Sequence, residues 1–207
     1  QVSGRRAQRS MQTELEAKFI TEDFDGLRTK LRSVGATLVQ PETSMRRKVF
    51  DYPDGRLERI GGWVRVRDEG RRVTMSYKQL DHRGVDGTKE VSITADSFDR
   101  ACELLTDIGL SAKSYQETKR ETWQLGDAEV TLDTWPWIPR FVEIEAPTET
   151  ALRTVAERLG LAWRDALHGS VENVYTREYM VTEEEVDHWP EIVFSTVPDW
   201  LEKRRRS

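Results

Sequence analysis

Cysteine is almost missing from this chain: Cys102 stands alone in 207 residues. A single cysteine cannot close a disulfide within the chain, so no covalent staple shapes the fold. That usage fits a reducing cytoplasm, the expected location. Ala101, Leu104 and Leu105 around it place Cys102 at a buried helix position rather than at a nucleophilic site. Histidine is scarce too. His82, His168 and His188 lack metal-ligand spacing, which argues against a histidine-based zinc centre, and they read as structural or solvent-exposed. No run approaches the roughly 18 apolar residues of a membrane span, and no signal peptide is visible, so no membrane partner is expected. The Gly-x-x-x-x-Gly-Lys phosphate loop is absent, which excludes a P-loop enzyme. No internal repeat of 20–50 residues appears, which excludes a solenoid.

What is present is charge. Asp and Glu number 37 against 32 Lys and Arg, a net charge of −5. Seven of the bases lie at the ends: Arg5, Arg6 and Arg9, then Lys203, Arg204, Arg205 and Arg206. Residues 11–202 therefore carry 25 bases against the same 37 acids. So acidic a body is a poor nucleic-acid binder. Seven Trp, six Phe and five Tyr suffice to anchor a core. The expected organisation is a tail over 1–10, a main unit over 11–164 and a helical cap of the same domain over 165–207.

The charges are patterned. In Thr13–Phe19, Glu14, Glu16 and Lys18 fall on one side of a strand, and Leu15, Ala17 and Phe19 on the other. Trp63–Asp68 repeats this with the sign reversed, Arg65 and Arg67 opposing Val64 and Val66. Phe141–Glu145 repeats it again with Glu143 and Glu145. One such strand ordinarily points its charges to water. Three in one small unit predict a charged lumen inside a closed antiparallel barrel, with the apolar faces packed outward under helices.

The remaining elements agree with an α+β architecture. Thr21 predicts a helix cap before Phe24, Leu27, Leu31 and Val34. Ala36–Val39, a loop through Pro41, and Met45–Tyr52 follow, then a turn at Pro53-Asp54-Gly55. Val73–Leu80, a loop around Gly84 and Gly87, and Lys89–Ile93 are extended. Asp96 predicts a second cap, with Phe98, Ala101, Leu104, Leu105 and Ile108 as the apolar stripe. Ser114–Leu125 and Glu129–Thr134 are extended, and Thr148 caps a third helix that stops at Gly160. Weaker helical runs begin near Ser170 and Thr182, and Trp189, Phe194 and Trp200 are expected to pack back on the body. About eight strands and three clear helices result.

On the shared faces, acids occur at Glu14, Glu16, Glu90, Asp133, Glu143 and Glu145, and bases at Lys18, Arg65, Arg67, Lys78 and Arg120. Clustered Arg and Lys suit a polyanion, and clustered carboxylates suit Mg²⁺ or Mn²⁺. Together they describe a metal–polyphosphate site.

Glu14-Leu15-Glu16-Ala17-Lys18 resembles the ExExK signature of the CYTH superfamily, the triphosphate tunnel metalloenzymes. The resemblance continues through Val64–Arg67, Lys78, Glu90, Arg120–Trp123, Leu132-Asp133 and Phe141–Glu145, covering about residues 12–160. It implies an eight-stranded antiparallel tunnel flanked by helices, divalent metal, and a small-molecule triphosphate: inorganic triphosphate, ATP or thiamine triphosphate. A homodimer is left open. It further implies Glu14, Glu16, Glu90, Asp133, Glu143 and Glu145 as metal-side acids. Lys18, Arg65, Arg67, Lys78 and Arg120 become the phosphate clamp, with Glu14, Glu16 and Lys18 as catalytic residues. One position departs: where the family often has Lys-x-Arg, this chain has Thr118, with Lys119 beside it. Either the clamp lacks a cation or a bulge turns Lys119 inward. Phe50-Asp51-Tyr52-Pro53-Asp54 is similar to the segment of the family's triphosphatases. Triphosphate hydrolysis is therefore the expected reaction; adenylate cyclisation of ATP and non-catalytic polyphosphate binding are the alternatives. Trp63, Trp123, Trp135 and Trp137 are the aromatics that could stack a base.

Overall fold

The structure, a computed structural model, describes residues 12–80 and 88–206, with the side chains of residues 12–14, 80 and 88 set aside. The expected tail over 1–10, the loop around Gly84 and Gly87, and His82 lie outside the described residues.

Alternation of charged and apolar residues produces the strands, and the sheet they form is antiparallel but for one pair. β1 (Gln12–Ile20), β2 (Thr37–Asp51), β3 (Gly62–Asp68), β4 (Val73–Leu80), β5 (Thr88–Ala95), β6 (Ser111–Leu125), β7 (Ala128–Thr134) and β8 (Phe141–Ala146) lie in the order β2-β3-β4-β5-β1-β8-β7-β6. β2 also pairs with β6, from Thr37↔Gln124 to Asp51↔Ser111, and so joins the eight strands into a ring. The narrowest seam is β1–β5, paired only from Gln12↔Glu90 to Glu14↔Thr88. β9 (Glu191–Ile192) adds in parallel to β6 at Tyr115 and Gln116.

Helices cover the outer apolar faces. α1 (Phe24–Ser33) and α3 (Glu149–Leu159) bury Ala17, Phe19, Val130, Leu132, Val142 and Ile144, all at most 2% exposed. α2 (Phe98–Asp107) covers Phe50 and Val66, with Cys102 buried as expected. α4 (Glu172–Glu178), α5 (Glu183–Asp187) and α6 (Asp199–Glu202) build a third cluster around Trp135, Phe141, Tyr175, Tyr179 and Trp189. Tyr175 anchors it by donating to the Pro136 carbonyl at 2.8 Å. Among the described residues no helix is long and apolar enough to cross a membrane.

Several local expectations are corrected. Asp23, not Thr21, caps α1, accepting from the Gly26 amide at 2.8 Å. Ser97, not Asp96, caps α2. Leu104 and Ile108 of α2 are exposed, because only Phe98, Ala101, Cys102 and Leu105 meet the barrel. The two segments expected at Ala36–Val39 and Met45–Tyr52 merge into the one strand Thr37–Asp51, whose register shifts between Leu38 and Thr43 accommodate Pro41. Trp189 is buried and Trp200 packs edge-on against it with ring centroids 5.2 Å apart, as expected, while Phe194 and Trp200 stay partly exposed.

Candidate functional site

The ring encloses a cavity of about 990 Å³. The alternation that turns Val64 and Val66 outward turns Arg65 and Arg67 into it. The same parity places Glu16, Lys18, Lys78, Glu90, Arg120, Glu143 and Glu145 on its wall. Nine of the predicted site residues are thus brought together. The side chain of Glu14 lies outside the described residues. Asp133 does not reach the cavity wall: it is 1% exposed and lies behind Arg120.

Opposite charges make this lumen tolerable. Lys18, directly across from Glu143 on β8, places its ammonium 2.7 Å from Glu16 and 2.9 Å from Glu143, and donates to the Gly169 carbonyl at 2.6 Å. Burial would lower its pKa, but Glu143 and Glu16 outweigh burial and raise it. Arg120 forks onto Asp133 at 2.7 and 3.0 Å and reaches Glu143 at 3.3 Å. Asp133 also accepts from the Thr131 hydroxyl at 2.6 Å. Burial opposes ionisation of Glu143, yet Lys18 and Arg120 hold its carboxyl down to about 2. Glu90 bridges Lys78 at 2.8 Å and Arg65 at 3.5 Å.

Three residues escaped the sequence reading. Glu69, 5% exposed, accepts from Arg67, from Arg72 at 2.6 Å and from Thr74 at 3.2 Å. Its place at a turn hid it. Glu129 shares a face with Thr131 and Asp133, a signal visible in the alternation of β7. Arg47 lines the cavity from β2, but Arg46-Arg47-Lys48 offers three consecutive cations and no hint of which points inward.

Thr118 faces the lumen side, 1% exposed. Neither β2–β6 nor β6–β7 shifts register there, so no bulge turns Lys119 inward. Its ammonium instead sits 5.4 Å from the Phe194 ring on the outer face. Asp51, in the Phe50–Asp54 segment, accepts from the Tyr52, Leu57 and Glu58 amides at 2.5, 3.0 and 3.0 Å. It shapes a turn, which accounts for its position without a substrate. Trp63 and Trp135 line the cavity; Trp123 is buried in the outer core.

Among the described residues, no three acids converge closely enough to hold a metal ion. The donor chemistry nevertheless fits one. Glu16 lies directly opposite Glu145, which lies directly opposite Glu129, a row of carboxylates across β1, β8 and β7. Like charges in register repel, and a hard divalent cation is the partner such oxygens favour. Burial, followed by the nearby Glu143 charge, raises the Glu129 pKa against the pull of Arg120.

A polar tunnel with a basic clamp on one wall and acids on another defines the class, and comparison with known proteins agrees. The CYTH domain model matches residues 12–179, and the chain belongs to that family. No curated protein matches the chain by sequence. Solved structures share the fold. A candidate adenylate cyclase from Vibrio parahaemolyticus is 18% identical with a TM-score of 0.68, over 80% of this chain and 99% of that one. The PH1012 protein of Pyrococcus horikoshii is 21% identical with a TM-score of 0.63, over 74% and 94%. A candidate adenylyl cyclase from Hippeastrum, described as having a dominant triphosphatase activity, is 14% identical with a TM-score of 0.52, over 72% and 88%.

Proposed function

We propose that this protein hydrolyses a triphosphate, inorganic triphosphate foremost, with the help of a divalent cation. The observation that carries the reading is one cavity that combines Arg65, Arg67, Lys78 and Arg120 with the carboxylate row of Glu16, Glu145 and Glu129. The cations bind and orient the phosphate oxygens, which supplies most of what phosphoryl transfer requires. Glu16 and Glu145, with Glu14, would hold Mg²⁺ or Mn²⁺, which supplies charge neutralisation and a more acidic water. Asp133 is better assigned to fixing Arg120, and Glu90 to fixing Lys78 and Arg65, than to holding metal.

In hydrolysis a water oxygen bonds to the terminal phosphorus, and the bond from that phosphorus to the bridging oxygen breaks. Orthophosphate and pyrophosphate leave, and the proton passes to a carboxylate. Glu143, held near 2 by Lys18 and Arg120, is too weak a base for that task near neutral pH. Glu16 and Glu145 are the carboxylates left on its strand face and its neighbour's. The Hippeastrum relative's described triphosphatase activity supports this choice.

One observation favours cyclisation of ATP as a second reading. Trp63 shares the lumen face of β3 with Arg65 and Arg67 and lines the cavity, where it could stack a base. A product assay separates the two. Purified protein with Mg²⁺ or Mn²⁺ receives inorganic triphosphate, ATP and thiamine triphosphate separately, each with an EDTA control. Metal-dependent orthophosphate from inorganic triphosphate, without cyclic AMP from ATP, is expected, and Glu16→Gln should abolish it. Cyclic AMP with pyrophosphate would establish the second reading instead. Triphosphate binding without turnover would point to a non-catalytic module.

A further inference from the structure

Each of the clamp cations has a carboxylate partner. Lys18 has Glu16 and Glu143, Arg67 has Glu69, Arg120 has Asp133, and Lys78 and Arg65 share Glu90. Arg47 has none among the described residues. Its guanidinium meets only the neutral Thr118 hydroxyl at 3.5 Å and the Trp135 ring at 4.5 Å, and its Nε is sealed from solvent without a partner. From β2 it stands directly opposite Arg67 on β3. Like charges in register across a ladder are unfavourable, and an unpartnered buried N–H adds to the cost. Burial, followed by the charges of Arg65, Arg67 and Arg120, lowers the Arg47 pKa, and the more weakly acting Asp133 does not offset them.

Such a residue destabilises the ligand-free protein unless something else compensates for it. Trp135 offers part of the compensation, since a cation over an indole face is attracted to it. It also holds the guanidinium plane, leaving the edge to bind. The rest must come from an anion in the cavity. We propose that Arg47 is a substrate-binding residue that grips the phosphate chain from the β2 wall, between Arg67 on β3 and Arg120 on β6. The inference rests on the triphosphate reading and extends it: the anion is bound from β2 as well as from β3, β4 and β6. Trp135 belongs to the cluster built by α4–α6, so the C-terminal segment positions this cation from behind.

Arg47→Gln and Arg47→Lys test it against the wild type by calorimetric titration of inorganic triphosphate in EDTA, with thermal melts of each protein with and without the anion. Arg47→Gln should weaken binding at least tenfold, the effect of losing a charge-assisted contact. Its ligand-free melting temperature should be no lower than that of the wild type, because a like-charge repulsion is removed. Arg47→Lys should fall between the two in affinity. Wild-type affinity in Arg47→Gln would overturn the inference alone. So would a lower ligand-free melting temperature with unchanged affinity, the signature of a purely structural residue. A wild type that neither binds triphosphate nor gains melting temperature from it would overturn both this inference and the triphosphate reading.

Discussion

Glu143 stands between two cations, and its chemistry is set by them. Lys18 and Arg120 keep it ionised down to about 2, against an ordinary value of 4.5. Its contribution to stability is therefore complete well above pH 4.5 and is lost as the pH falls from there toward 2, because the unfolded chain takes up the proton first. Between pH 5 and pH 3 the loss amounts to about 2 kcal/mol at about 1.4 kcal/mol per pKa unit. Urea unfolding should show Glu143→Gln less stable than wild type at pH 7, with the difference narrowing by about that amount at pH 3. A constant difference would mean that the two cations do not hold the carboxyl down. Lys119 and Lys78 make the matching contrast in function. Lys119 points outward at Phe194, so Lys119→Ala should leave KM for triphosphate unchanged, whereas Lys78→Ala should raise it about tenfold or more. Steady-state kinetics of the two variants decides this. Which neighbour faces the lumen could not be read from Thr118-Lys119 alone, because the register of β6 against β2 and β7 settles it.

At the scale of elements, the segment after α3 acts as a strap. Beyond its short seam with β5, β1 is met by Leu167, which exchanges backbone hydrogen bonds with Lys18 at 2.8 and 2.9 Å. Gly169 has φ of +88°, and its carbonyl accepts from the Lys18 ammonium. A Cβ there would stand 3.0 Å from the Asn173 side-chain Nδ2 as well as straining the backbone. Gly169→Ala should therefore cost about 1 kcal/mol or more, seen in denaturant melts, and raise KM by loosening Lys18. Unchanged stability and KM would remove the strap from the account of the site. The strands of the barrel were legible from alternation and the third helix from Thr148 and Gly160. The first two caps were each misplaced because Thr21-Glu22-Asp23 and Asp96-Ser97 hold competing capping residues within one turn.

The whole molecule depends on the β2–β6 pairing. β2 gives one edge to β3 and the other to β6, so a single break there opens the ring on two sides. Val49 is paired with Arg65 on one side and Ser114 on the other. Val49→Pro removes an N–H and clashes with a doubly paired strand, at a cost of about 3 kcal/mol or more. The helical clusters are anchored on faces of this same ring. Tryptophan fluorescence and far-UV circular dichroism should therefore report one coincident unfolding transition in the wild type. Separate transitions would show that the C-terminal cluster folds apart from the barrel.

The sequence by itself determined the strand faces, the mixed-charge lumen and nine of the charged residues that line it. Period-two alternation is local, and every residue of a strand inherits its side from its neighbours. It could not determine which opposite charges would meet. Asp133 and Glu90 read as metal-side acids like the rest, and nothing local told that Asp133 would meet Arg120 or Glu90 would meet Arg65 and Lys78, because those partners arrive from other strands. Arg47 was indistinguishable from Arg46 and Lys48 until the β2–β3 and β2–β6 registers fixed its direction. Pairing is a property of register and closure, which join residues distant along the chain, and only the tertiary structure decides it.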